Sequence, residues 1–200
     1  MTTYLAVLDL DDGIDGGEQL GVIVPLLGSL VATVEVADLD LATPCESWTT
    51  RDLLNHVVGG ALMFAGAFEG GPIHDISGRM PDVVGDDPAA AFAAAVERFG
   101  AATQAPGAMD RVFALPWATM PGRTFLRFVA FDLLVHAWDL ATTLGTEIEV
   151  PEPLLHEIDL FARRVLDPWT RDGVNFAAPT PISDAAPAVE RLAAYAGRTR

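Results

Sequence analysis

The chain has 200 residues, half of them hydrophobic, and a mean hydropathy of +0.31, which is enough to fill a single full-sized core. Its 28 acidic against 12 basic side chains leave a net charge of −16, which opposes phosphate contacts and anionic lipid surfaces and argues against nucleic acids and membranes as partners. No uncharged apolar run reaches a membrane span, the start MTTYLAVLDLDDG has neither a basic nor a cleavage-type segment, and the one cysteine, Cys45, cannot form an internal disulfide; a soluble cytoplasmic protein is expected.

Residues 1–17 read as an acidic, flexible lead-in. Within them DLDDGIDGGE has the look of a calcium loop, but both registers fail. Started at Asp9, the loop puts Ile14 at its glycine position and Leu20 at its bidentate glutamate; started at Asp11, it ends on Val22. The expected role is to supply negative charge at a helix N-terminus.

From there apolar residues recur at i, i+3, i+4 and i+7, with little strand-like alternation. A first helix is predicted over 18–36, with Pro25 either an internal irregularity or the mark of a later start. The turn LATPCESWTT follows, and Ser47 or Thr49 can cap a second helix over 49–68, which Gly70-Gly71-Pro72 stops. The breaker-rich IHDISGRMPDVVGDD reads as a loop, and a third helix opens with Pro88 and runs to 103. Residues 111–122 hold the only predicted extended piece or hairpin. A fourth helix spans 123–144 and ends at Gly145, a fifth runs from about 151 to before Pro168, and a short last one covers 187–196. The class is therefore all-α: an antiparallel four-helix bundle over 18–166, with a small β insert and a C-terminal tail, 167–200, packed on it.

The chemistry concentrates in FDLLVHAWDL, which sets Asp132, His136 and Asp139 inside an otherwise apolar helix. Asp132 and His136 stand four residues apart, so they project from one face a turn apart. They make either an i,i+4 ion pair or two ligands of a divalent cation that needs a third from elsewhere. Of the other histidines, His74 lies in the breaker-rich loop and His156 beside Glu152 and Glu157 on a solvated helix face. His56 sits mid-helix among Leu53, Leu54, Val57 and Val58, a turn before Gly59-Gly60, as a core histidine or the missing ligand. Asp139 is placed to accept the second N–H of His136 or to face the surface. Cys45 lies in the TPCESW turn, without a base near it in the sequence, and reads as a buried small residue. Trp48 and Trp138 read as core aromatics.

TPCESWTTRDLLNHVVGG and, further on, FLRFVAFDLLVHAWDLATTLG together resemble the DinB-like superfamily, in the branch related to the N-terminal domain of mycothiol-dependent maleylpyruvate isomerase. The ending PISDAAPAVERLAAYAGR resembles the tail of short members of that branch. The resemblance implies a DinB-like four-helix bundle whose metal, zinc or nickel, is held by His56, Asp132 and His136. It also implies a low-molecular-weight thiol such as mycothiol as cofactor and a small electrophile as its target. Two departures stand out: Asp132 is shorter than the glutamate typical of the branch, and the chain after Val150 is shorter than the additional domain of larger relatives. The sequence thus leaves open a metal-dependent thiol S-transferase or isomerase and a non-catalytic metal-binding bundle with a structural, stress or metal-sensing role. So hydrophobic a bundle is compatible with a homodimer.

Overall fold

Side-chain caps decide where the helices begin. In this computed structural model, which describes residues 6–10, 12–45, 47–73, 80–115, 118–166, 171 and 176–199, α1 spans Gly16–Val31, and the Asp15 side chain accepts from Gly17 N at its start. Helix α2, Thr50–Phe68, opens with a reciprocal cap: Asp52 N donates to Thr49 Oγ1 and Thr49 N donates to Asp52 Oδ2. Asp87 caps α3, Pro88–Thr103. Helix α4, Gly122–Thr143, stops at Leu144 and Gly145, the latter at a left-handed φ of 67°. Helices α5, Glu152–Val165, and α6, Ala188–Tyr195, follow.

The first helix begins earlier and ends sooner than its apolar pattern predicts, and a separate 3-10 turn covers Val36–Asp38. Pro25 lies inside α1 on its exposed face, where the carbonyl of Gly21 that it leaves unpaired can be met by water. The lead-in is docked where it is described. Strand β1, Ala6–Val7, pairs in parallel with β3, Ala118–Pro121, which pairs antiparallel with β2, Val112–Ala114. Asp9 accepts from Arg123, and Asp12 accepts from Arg164 and from the fully buried Arg127. Asp9 and Asp12 thus anchor arginines, while Asp15 supplies the expected negative charge at the start of α1.

Helices α1, α4, α2 and α3 contact one another in a closed ring, the four-helix bundle. Helices α5 and α6 lean on α4 from outside. Helix α4 is therefore enclosed, and nearly every residue from Gly122 to Ala141 is buried, as a helix apolar on all sides should be. At the end away from the polar residues, the rings of Phe64, Phe68, Phe113 and Phe125 pack edge to face and tilted. In such a helix each polar side chain carries a desolvation cost that something must offset. Among the described residues no helix is long and apolar enough to cross a membrane.

Candidate metal centre

The cap at Thr49 fixes the phase of α2, and that phase turns His56 toward α4. His56 Nε2 comes 3.8 Å from Asp132 Oδ2, and His136 Nε2 comes 3.7 Å from Asp132 Oδ1. The two imidazole rings meet edge to face at 4.8 Å between centroids. Three groups placed by the sequence on two different helices thus converge, with one ligating atom from each within 4.8 Å of the others. Separations of 3.7–3.8 Å are too long for hydrogen bonds. They are close to the edge of a tetrahedron with bonds of about 2.0–2.1 Å, roughly 3.4 Å, as zinc forms with nitrogen and oxygen. By donor type and spacing the residues fit a divalent ion. The Asp132 side chain keeps a fifth of its surface exposed while His136 keeps 4%, so the cluster opens at the carboxylate.

Behind His136 lies a second layer. His136 Nδ1 is 3.0 Å from Asp139 Oδ2, at the i,i+3 spacing noted in the sequence. Asp139 is fully buried and also accepts from the Cys45 thiol at 3.1 Å and from Arg198 Nε, 3.2 Å from each of its oxygens. Burial raises the Asp139 carboxyl, but the Arg198 charge and the bond with His136 outweigh it, and the group titrates below the usual range. Burial also opposes a charge on His136, yet the Asp132 carboxylate and the contacts with Asp139 and Cys45 push it up to about 10. Asp132 is held low by both imidazoles against its own desolvation. Burial first, and the neighbouring Asp139 charge as well, raise the Cys45 thiol against the pull of His136 and Arg198, so it is a thiol that donates rather than a thiolate.

Cys45, His136 and Asp139 also come close enough together to suggest a metal. The guanidinium lying across both oxygens of Asp139 opposes a second cation there, and the Cys45 side of His136 is the side of its other nitrogen.

The wall of the site comes from the turn at residues 43–48. Thr43 N donates to Trp48 O, Trp48 N donates to Cys45 O, Cys45 N donates to Thr43 Oγ1, and Ser47 takes a left-handed φ of 69°. The turn aims Cys45 inward and lays the half-buried Trp48 ring 4.8 Å from His56 and, nearly parallel, 6.1 Å from His136. Trp48 is thus partly buried against the core, as its sequence context suggests, and also forms a wall beside the two histidines. Trp138 is buried. The space beside Gly59 is taken up by Met80, whose Cε would stand 2.7 Å from an added Cβ. Asn55, next to His56, pins the loop that follows Met80 by accepting from Val83 N and Val84 N. His156 is exposed, as expected, and His74 lies outside the described residues.

Cys45 and Arg198 escape a reading of the sequence because they are 94 and 59 residues from Asp139, and no local periodicity links them to it.

Residues 25–141 match the family model described as "Mycothiol maleylpyruvate isomerase N-terminal domain". The chain belongs to this family. Every member of the cluster except Arg198 falls inside the matched stretch. Two relatives, the uncharacterized proteins MT0763 and Rv0738 of two Mycobacterium tuberculosis strains, are each 37% identical over 172 residues, covering 86% of this chain and 91% of the relative. Two crystal structures share the family fold, the mycothiol-dependent maleylpyruvate isomerase and a histidine-to-alanine variant of it. Their TM-scores are 0.58 and 0.61 at 17% identity, over 75% of this chain and 70% of theirs.

Proposed function

We propose that the chain is a divalent-metal enzyme that uses a low-molecular-weight thiol of the mycothiol type to add to, or isomerise, a small electrophile. The observation that carries this reading is the half-open cluster of two imidazoles and one carboxylate, a donor set that leaves a position free for a reactant. Membership of the mycothiol isomerase family supports the choice of thiol. Zinc or nickel suits nitrogen and oxygen donors of this kind. A bound ion of that type lowers the pKa of a thiol beside it and polarises an electrophile.

The chain's own residues have separate tasks. His136 keeps its Nδ1 proton and donates it in a hydrogen bond to Asp139, which leaves the Nε2 lone pair for the ion. Asp132 supplies the negative charge and stands at the open side. His56, alone on its helix, locks α2 to α4 across the site. Trp48 excludes water from one flank and offers an apolar face to the electrophile. Cys45, buried and holding its proton against Asp139, is not the nucleophile, so the reacting thiol comes from outside the chain.

The test is to reconstitute the protein with zinc or nickel, add mycothiol and a panel of small electrophiles, and search for conjugates or isomers by mass spectrometry. Turnover that disappears with a chelator and in His56→Ala is the expected result. Failure to take up close to one ion per chain, by elemental analysis, would overturn the metal site itself. Tight uptake with no turnover across the panel would favour a non-catalytic metal-binding bundle with a structural, stress or metal-sensing role.

A further inference from the structure

The last residues of the chain end in a device aimed at the metal cluster. Helix α6 closes at Tyr195 with Gly197 at a left-handed φ of 89°, Gly197 N donating to Ala194 O and Arg198 N donating to Ala193 O. This pair of bonds is the Schellman arrangement, which reverses the chain direction after a helix. Thr180 Oγ1 donates to Arg198 O at 2.7 Å and Thr180 N donates to Ala194 O. Gly197 rests so closely on Ala177 that an added Cβ would lie 2.8 Å from the Ala177 Cβ and 2.9 Å from its backbone. The reversal sends the Arg198 side chain into the bundle, where it is 9% exposed and its Nε reaches both oxygens of Asp139.

A carboxylate with no partner of fixed position can rotate about its χ2 bond. Nε drawn to both oxygens holds the carboxylate head in place, and with the Cys45 thiol on Oδ2 it orients the oxygen that meets His136 Nδ1. The plane of a ligating imidazole is set by the acceptor of its other nitrogen.

We propose that Arg198 is a positioning residue for the metal centre, acting through Asp139 on His136, so that the C-terminal tail completes a site whose ligands all lie in the bundle. This rests on the metal reading above, and it adds a residue that lies outside the matched family stretch. Mechanically it is a relay of two hydrogen bonds, Arg198 to Asp139 and His136 to Asp139, running from the end of the chain to the ligand.

The test is a double-mutant cycle in the full chain, read as zinc affinity by competition with a chromophoric chelator. Arg198→Met should weaken binding about 10–100-fold, and Arg198→Lys should recover part of the loss. In an Asp139→Asn background, Arg198→Met should add little, because the link it acts through is already gone. That double variant carries neither buried charge, so it reports even if Arg198→Met alone folds poorly. A second readout needs no metal: the His136 Nδ1–H resonance in the metal-free protein should be protected from exchange in the parent, lose that protection in Arg198→Met and in Gly197→Val, which leaves every site residue in place, and keep part of it in Arg198→Lys. If Arg198→Met costs as much in the Asp139→Asn background as in the parent, or leaves both affinity and the resonance unchanged, the proposal is wrong. If the parent binds no zinc but the resonance responds as stated, the relay stands and the metal reading falls.

Discussion

In the metal-free protein His136 carries a proton at neutral pH, and an ion entering the site has to displace it. Burial works against the imidazolium, but the Asp132 carboxylate and the hydrogen-bonding neighbours outweigh it and lift the group from 6.5 to about 10. Proton and ion compete for the same Nε2, so binding weakens as pH falls, and it does so everywhere below about 10 rather than only below the ordinary imidazole range. Each pH unit in that interval is worth a factor of about ten, or about 1.4 kcal/mol. Apparent zinc affinity should therefore rise roughly 100-fold from about pH 7 to about pH 9, where an unperturbed imidazole would already have levelled off. Folding of the metal-free chain has the opposite dependence. The folded state holds this proton more tightly than the unfolded state, so the stabilisation is complete below 6.5 and is lost as pH rises through about 10. Chelator competition across this pH range measures the affinity. Calorimetry near neutral pH, in buffers of different ionisation enthalpy, should count about one proton released per ion. A plateau in affinity above about pH 7.5 with no proton release would refute the reasoning, since His136 would then either lack the proton or not be a ligand.

Other outcomes follow from the same geometry. Asp132→Ala should abolish stoichiometric metal uptake in elemental analysis, whereas Asp132→Glu should retain an ion with altered zinc-to-nickel preference, because a longer carboxylate at the open side still reaches it. Cys45→Ser, whose hydroxyl can still donate to Asp139, should keep metal binding and turnover within a few-fold; loss of turnover with metal retained would make the thiol a chemical participant. Gly16→Ala puts a methyl 2.6 Å from Arg127 N on the α4 backbone, and the denaturation midpoint should report a destabilisation of about 1–3 kcal/mol.

The legible parts of this protein were those whose determinants sit close together in the chain. Thr49 and Asp52 announce the start of α2, Pro88 that of α3, and Gly145 the end of α4, because caps and stops are local chemistry. The bundle followed from apolar spacing. The pairing of Asp132, His136 and Asp139 followed from helical geometry, since residues three and four apart must share a face. The arrival of His56 opposite them followed only from resemblance, because nothing local tells α2 which helix it will meet. The end of α1 at Val31 was not legible: apolar residues continue through Val34 and Val36, but the backbone turns off at Thr33, whose hydroxyl donates to Leu30 O. Nor was the second layer. Cys45 and Arg198 reach Asp139 only through tertiary folding, and an arginine followed by only two more residues of the sequence reads as solvated charge.

The turn that holds Trp48 against the histidines closes largely on its own hydrogen bonds, with Thr43 at their centre. An isolated bridge between Ala42 and Thr49 joins its two ends at the mouth of α2, and the Cys45 thiol ties it to Asp139 in the bundle. Within it Cys45, bonded to Asp139, and Thr49, the cap of α2, are tied to the helices, so the side chain at position 48 can be changed in size or reach while those two contacts stay. Grafting this short stretch is a more economical route to altered selectivity than altering the crowded interior of α4.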